Sequence, residues 1–181
     1  MGWLWRGGIH NLRFFADWAR LVYTFPMSTR ILLVEDEPIL VSLYTMALAQ
    51  STYDVHNAAD VETAETKVVS VRPQVILLDL LLPNTPSGEM QVENFHEPSG
   101  FHILRLVKGT PSLESTRIIV LSNLDSDEHM SLANELGADR YIVKANLDPH
   151  DLKRTVEEVL HSTEAPKKMR KVKVADENKK S

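Results

Sequence analysis

Four short runs of apolar residues set the pattern of the chain: Ile31-Leu32-Leu33-Val34, Val75-Ile76-Leu77-Leu78, Ile118-Ile119-Val120-Leu121 and Tyr141-Ile142-Val143. Continuous apolar runs of this length read as strands buried on both faces, as in parallel sheets. Between them apolar residues recur at helical spacing, and strands alternating with helices predict βα units around one parallel sheet. Five units can be read. The first helix is expected to begin near Pro38, since proline suits the first helical position and Asp36 can accept a free N–H there; Ile39, Leu43, Met46 and Ala47 supply its apolar spacing. A short strand near Tyr53 to His56 follows, then a helix from about Val61 to Val69 that ends before Pro73. Later helices fit Gly100 to Lys108, Asp127 to Leu136 with Gly137 as terminator, and Pro149 to Leu160. The sequence carries no internal repeat and no apolar stretch of transmembrane length.

Each apolar run hands over to a polar residue. Glu35 and Asp36 follow the first, Asp79 the second, Ser122 the third and Lys144 the fourth. In open α/β sheets ligands bind beyond the carboxyl ends of the strands, where strand order reverses. Three carboxylates, a hydroxyl and an ammonium are therefore expected to converge there. Like charges packed together are unfavourable, and a hard divalent cation such as Mg²⁺, which takes one or two carboxylates and keeps several waters, suits such a group.

Composition changes this picture in two places. With 181 residues and 43% hydrophobic content the chain can bury a core of ordinary size. The absence of cysteine excludes disulfides, thiolate metal sites and cysteine nucleophiles, and fits a reducing cytoplasm. The net charge of −5 conceals a partition: residues 1–27 carry three Arg and one Asp, residues 28–162 carry 10 basic and 21 acidic groups, and residues 163–181 carry 7 basic and 3 acidic groups. So acidic a central region repels nucleic acid phosphates, which argues against direct nucleic acid binding by the core.

The order of acidic pair, lone Asp, hydroxyl and Lys resembles the receiver domain of two-component response regulators, of the stand-alone single-domain type, over roughly Thr29 to His161. Asp79-Leu80-Leu81-Leu82-Pro83 repeats that family's Asp, apolar residues and Pro, and Tyr141-Ile142-Val143-Lys144 its aromatic, two residues and Lys. The resemblance implies a flavodoxin-like, doubly wound α/β fold, a (βα)5 unit with a five-stranded parallel sheet in the order 2-1-3-4-5. It implies that Asp79 is the phosphoacceptor, that Glu35, Asp36 and Asp79 hold Mg²⁺, and that Lys144 pairs with Asp79 and then with a phosphoryl oxygen. Ser122 would donate its hydroxyl to the phosphoryl group while the Tyr141 ring fills the space left by its loop, a two-state switch. The implied partners are a sensor histidine kinase or phosphotransfer protein and a downstream protein met by the fourth helix, fifth strand and fifth helix. Such a protein is cytoplasmic and a signalling phosphoacceptor rather than an enzyme, although it takes part in its own phosphoryl transfer and loss.

Three departures from the family pattern stand out. Asn123 follows Ser122 where Ala or Gly is usual, and its bulk is expected to obstruct water near the phosphoryl group. Ala145 follows Lys144 where a cis proline is usual. A cis bond without proline costs about 3–4 kcal/mol, so either that strain is kept or the Lys144 loop takes another path. The third departure is an insertion over about residues 84–97, after which Ser99-Gly100 opens the next helix; its polar, proline-rich composition predicts a surface loop. Residues 1–27 form an extension with all three Trp among Arg6, Arg13 and Arg20, read as an early-called start or a basic amphipathic segment. Residues 163–181 are expected to be a disordered basic tail. Two alternatives remain: a receiver-like binding module that is never phosphorylated, and an Asp-nucleophile phosphatase, whose second Asp would fall at position 81, where Leu81 stands.

Overall fold

The apolar runs form the middle of a parallel sheet. Its strands are β1 (Thr29–Val34), β2 (Tyr53–Ala58), β3 (Val75–Leu78), β4 (Arg117–Ser122) and β5 (Arg140–Val143), in the order β2-β1-β3-β4-β5. The structure, a computed structural model, describes residues 28–49, 53–87 and 97–162. The chain leaves β1 for the edge strand β2, then crosses back to β3, so strand order reverses between β1 and β3. This is the flavodoxin-like arrangement expected from the sequence.

Among the described residues five α-helices cover the sheet: α1 (Pro38–Leu48), α2 (Val61–Val71), α3 (Gly100–Lys108), α4 (Asp127–Glu135) and α5 (Pro149–His161). Side chains alternate between faces along a strand, and each apolar run is divided accordingly. Ile31, Leu33, Val75, Leu77, Ile119 and Leu121 pack with Tyr44 and Leu48 of α1 and Leu152, Val156 and Val159 of α5. Leu32, Val34, Ile76, Leu78, Ile118 and Val120 pack on the other face, with Ala64 and Val68 of α2, Phe101, Leu104 and Val107 of α3 and Ala133 of α4. Burying each large side chain of this kind contributes about 1.5–3 kcal/mol, which is why the strands need no polar alternation.

Register decides which strand ends meet. Val34 lies opposite Leu78, and Leu78 opposite Val120, so β1 and β3 finish at one level while β4 runs two residues further, to Ser122. Ser122 faces Val143, one residue before Lys144. Asp60 caps α2, its Oδ1 accepting from Thr63 N at 2.8 Å and its Oδ2 from the Thr63 hydroxyl at 2.7 Å. Helix α2 ends at Arg72, left-handed at φ 50°, and Gly137 with φ 89° follows α4.

Helix α1 departs from the expectation in two respects. Its N-cap is Glu37, without a side-chain cap bond, so Asp36 does not take a helix N–H. Ile39 and Met46 are 81% and 71% exposed and Leu43 is also outside, whereas Tyr44 and Leu48 are buried with Leu40, Val41 and Ala47 packed beside them. The helix is apolar almost all round, and spacing alone could not choose among its stripes; the sheet took the one that buries the tyrosine ring. Strand β2 is longer than expected because Asn57 and Ala58 continue its pairing with β1.

The connection from β3 to α3 leaves at Leu82 and returns at Ser99, which are in contact: the Ser99 hydroxyl donates to Leu82 O at 2.7 Å and accepts from Leu82 N at 3.2 Å. Beyond this neck, Pro83 O and Asn84 O accept from Val61 N and Glu62 N at the start of α2, and Arg105 pairs with Glu97. The centre of the insertion, the expected N-terminal extension and the expected basic tail lie outside the described residues. No helix among the described residues is long and apolar enough to cross a membrane.

Candidate functional site

The polar residues that end the strands meet at the switch point. One carboxylate oxygen each from Glu35, Asp36 and Asp79 lie within 4.8 Å of one another, with Glu35 and Asp79 buried and Asp36 exposed. Asp79 is fixed at both oxygens, since Oδ1 accepts from Leu81 N at 3.1 Å and Oδ2 from Lys144 Nζ at 2.6 Å. Lys144 also reaches Glu35, 2.7 Å from Oε2 and 3.0 Å from Oε1. Three carboxylates offering only oxygen form a hard donor set, and one open to solvent leaves room for retained waters; Mg²⁺ fits these residues.

The Lys144 loop takes a path unlike a cis-proline turn. Lys144–Asn146 form a 3-10 turn closed by Leu147 N donating to Lys144 O at 3.1 Å, and there is no cis peptide bond among the described residues. Ala145 therefore needs no strained bond for the lysine to reach the carboxylates. Burial pushes the Glu35 carboxyl up, against the pull of Lys144. Burial would lower Lys144, but the hydrogen bonds to Asp79 and Glu35 outweigh it and hold the ammonium above its ordinary range. An ammonium that spans two carboxylates fits ionised partners, so the lysine's shift is the one the geometry supports.

Ser122 and Tyr141 lie beside this group rather than in it. Ser122 is fully buried, and its hydroxyl accepts from Leu124 N at 3.4 Å. The Tyr141 phenol donates to Leu124 O at 2.6 Å, with the ring packed against the α2–α3–α4 side of the core. Burial pushes that phenol up to about 12, with Ser122 acting the other way. Both residues thus hold the loop between β4 and α4. Asn123, in the same loop, lines a cleft of about 310 Å³ with Glu37, Leu40, Tyr44, Lys144 and Ala145.

Sequence reasoning missed three parts of the site. The Glu35–Lys144 contact joins residues 109 positions apart and depends on side-chain length. The Leu81 N–H on Asp79 is a backbone group with no sequence signature. In the sequence Gly100 marks only a helix start, yet a Cβ there would meet Asp79 O at 2.4 Å and Leu80 Cα at 2.6 Å; the glycine after Pro98-Ser99 is the available signal.

The model of the response regulator receiver domain matches residues 31–157, well over half of the chain. The chain belongs to the response regulator receiver domain family. It is 30% identical over 138 residues to the alkaline phosphatase synthesis transcriptional regulatory protein PhoP of Bacillus subtilis (strain 168), covering 76% of this chain and 51% of that protein. It is 33% identical over 115 residues to the transcriptional regulatory protein TrcR of Mycobacterium tuberculosis (strain ATCC 25618 / H37Rv), covering 64% and 39%. The chain thus spans about half or less of the length of these relatives. Among solved structures, the BeF3-activated N-terminal receiver domain of Klebsiella pneumoniae RstA superposes with a TM-score of 0.60 at 27% identity, over 74% of this chain and 99% of that one. The phosphorylated cyanobacterial phytochrome response regulator RcpA gives 0.62 at 27% identity, over 77% and 99%. Receiver domains of this family are signalling modules of two-component systems.

Proposed function

We propose that this receiver domain is phosphorylated on Asp79 in a Mg²⁺-dependent step and that the modification switches a protein-binding surface. The observation that carries the reading is the setting of Asp79: a buried carboxylate at the switch point, between a lysine ammonium and two further carboxylates. In the proposed transfer a carboxylate oxygen of Asp79 forms a bond to the phosphorus of a histidyl or acyl phosphate. The bond from phosphorus to the donor breaks, and the donor leaves with its electron pair. Bound at Glu35, Asp36 and Asp79, Mg²⁺ would supply positive charge to offset the repulsion between these carboxylates and the phosphoryl oxygens.

The chain's own residues do the rest. Leu81 N holds one Asp79 oxygen and so orients the carboxylate. Lys144 stands ready to pair with a phosphoryl oxygen as a point charge. Ser122 would turn its hydroxyl from Leu124 N toward the phosphoryl group. Since Tyr141 holds the carbonyl of the same Leu124, a movement of Ser122 would be passed to Tyr141 and the surface of α4, β5 and α5. The proposed donor is a sensor histidine kinase or a phosphotransfer protein, the proposed receiver of the signal is a downstream protein contact, and the proposed location is cytoplasmic. The acidic core is not proposed to touch nucleic acid.

The test is incubation with acetyl phosphate followed by intact-mass measurement. The mass should rise by one phosphoryl group with Mg²⁺ and stay unchanged with a chelator, and Asp79→Asn should abolish the gain. Equal labelling with chelator, or in the variant, would refute the reading.

A further inference from the structure

Ser99 stands where a helix N-cap stands, yet its side chain does not cap α3. A serine there ordinarily accepts from an N–H of the first turn, and this hydroxyl makes no such bond. Its one proton and its lone pairs go instead to a single residue across the neck of the insertion: Leu82 O accepts at 2.7 Å and Leu82 N donates at 3.2 Å. Among the described residues these are the hydrogen bonds that join the outgoing arm, residues 82–87, to the returning arm, residues 97–99. Each arm leads to Asp79 at once. On the outgoing side Leu81, next to Leu82, donates its N–H to Asp79 Oδ1 at 3.1 Å. On the returning side Gly100, next to Ser99, donates to Leu80 O at 3.0 Å, and a Cβ on it would lie 2.4 Å from Asp79 O.

We propose that Ser99 is a positioning residue for the phosphoacceptor, a clasp whose hydroxyl isolates the Leu81 N–H on Asp79 from changes in the insertion. This rests on the reading of Asp79 as phosphoacceptor. A change of length or a load within residues 85–97 pulls first on Leu82 and Ser99. With the two bonded to each other, the pull is taken up between them. Further out, Pro83 O and Asn84 O accept from Val61 N and Glu62 N of α2 at 3.0 and 3.1 Å, and Glu97 pairs with Arg105 of α3. Those contacts tie each arm to a different helix and leave the arms free to part, whereas Ser99 ties them to each other. Without the hydroxyl, a displacement of Leu82 reaches the Leu81 N–H one residue away and frees one oxygen of Asp79. With it, the insertion can vary in length or hold a partner while the nucleophile keeps its orientation.

Amide hydrogen exchange of Leu81, followed by NMR on the full chain without metal or phosphodonor, reads the hold on that N–H directly. Ser99→Ala should speed it roughly tenfold through the loss of two hydrogen bonds, and Ser99→Thr, which keeps the hydroxyl, should show the wild-type rate. Removing residues 85–97 should leave the rate within about threefold while Ser99 is present. In Ser99→Ala the same removal should reverse most of the acceleration, since a shorter connection confines the parted arms. A rate that Ser99→Ala leaves unchanged overturns the proposal, and so does an acceleration that is equal with and without residues 85–97. Should Ser99→Ala fail to fold, lengthening the insertion by about ten Gly and Ser residues with Ser99 intact carries the test: an unchanged Leu81 rate is expected, and a rate that rises with length overturns the isolation. Labelling by acetyl phosphate and Mg²⁺ should be slowed by Ser99→Ala and not by Ser99→Thr, and a wild-type labelling rate in Ser99→Ala overturns the positioning role. Absence of label from every protein refutes the phosphoacceptor reading, while the exchange rates still decide on the clasp.

Discussion

Replacing Gly100 by alanine adds one carbon where the backbone of the phosphoacceptor strand already lies. The new Cβ would stand 2.4 Å from Asp79 O and 2.6 Å from Leu80 Cα, both main-chain atoms with no flexible end to swing away. Ordinary contacts of this kind need about 3.5 Å or more, so α3 and the Asp79–Leu80 segment must separate by roughly 1 Å. Gly100 N also donates to Leu80 O at 3.0 Å, and the same displacement would stretch that bond. Overpacking of a close-fitted interior costs about 1–3 kcal/mol, while glycine to alanine in a helix gains at most about 1 kcal/mol from backbone entropy. The steric effect wins, and with the conversion usual for a domain of this size the Tm should fall by roughly 3–10 °C. Because the displaced segment carries Asp79, the rate of labelling by acetyl phosphate should fall as well. Thermal melting followed by circular dichroism, with labelling measured on the same sample, is the assay. A Tm equal to or above the wild type would refute the claim that α3 is seated on the phosphoacceptor backbone.

Two further perturbations address the loops around the site. Asn123 lines the cleft that Lys144 borders, so Asn123→Ala should admit water and shorten the aspartyl phosphate half-life, whereas excising residues 85–97 should change it little, because Leu82 and Ser99 already close the neck; loss of label after removal of the donor distinguishes these outcomes, and a large change on excision would make the insertion a lid. For Tyr141 the folded phenol titrates at about 12 against an ordinary 10.0, so its contribution to stability is fully present below pH 10 and lost as pH rises toward and through 12; Tyr141→Phe should flatten that alkaline decline in urea titrations, and an unchanged slope would count against a buried, bonded phenol.

How much of this was legible in the sequence follows from the range of the forces involved. Runs such as Val75–Leu78 declared themselves because a strand buried on both faces must be apolar throughout, and the residues that end those runs named the site. The buried face of α1 was not legible. Ile39, Leu43 and Met46 are as apolar as Leu40, Tyr44 and Leu48, and the choice was made by the shape of the sheet surface. Arg72 gave no warning of its left-handed backbone, since that conformation usually calls for glycine or asparagine. The Lys144 turn illustrates the opposite case. A cis proline is only one way to aim a lysine from the end of β5, and a 3-10 turn through Ala145 brings the ammonium to the same carboxylates. Contacts between distant side chains, Glu35 with Lys144 above all, depend on tertiary distances that periodicity does not encode.

Phosphorylation at Asp79 is tested most directly by locating the phosphoryl group. The protein, labelled with acetyl phosphate and Mg²⁺, is reduced with borohydride, which converts an aspartyl phosphate to homoserine and fixes the position against hydrolysis. Peptide mass spectrometry should then find the reduced residue at position 79 and nowhere else. Reduction at Glu35 or Asp36, a stable phosphoester at Ser122, or no reduced residue at all would contradict the account.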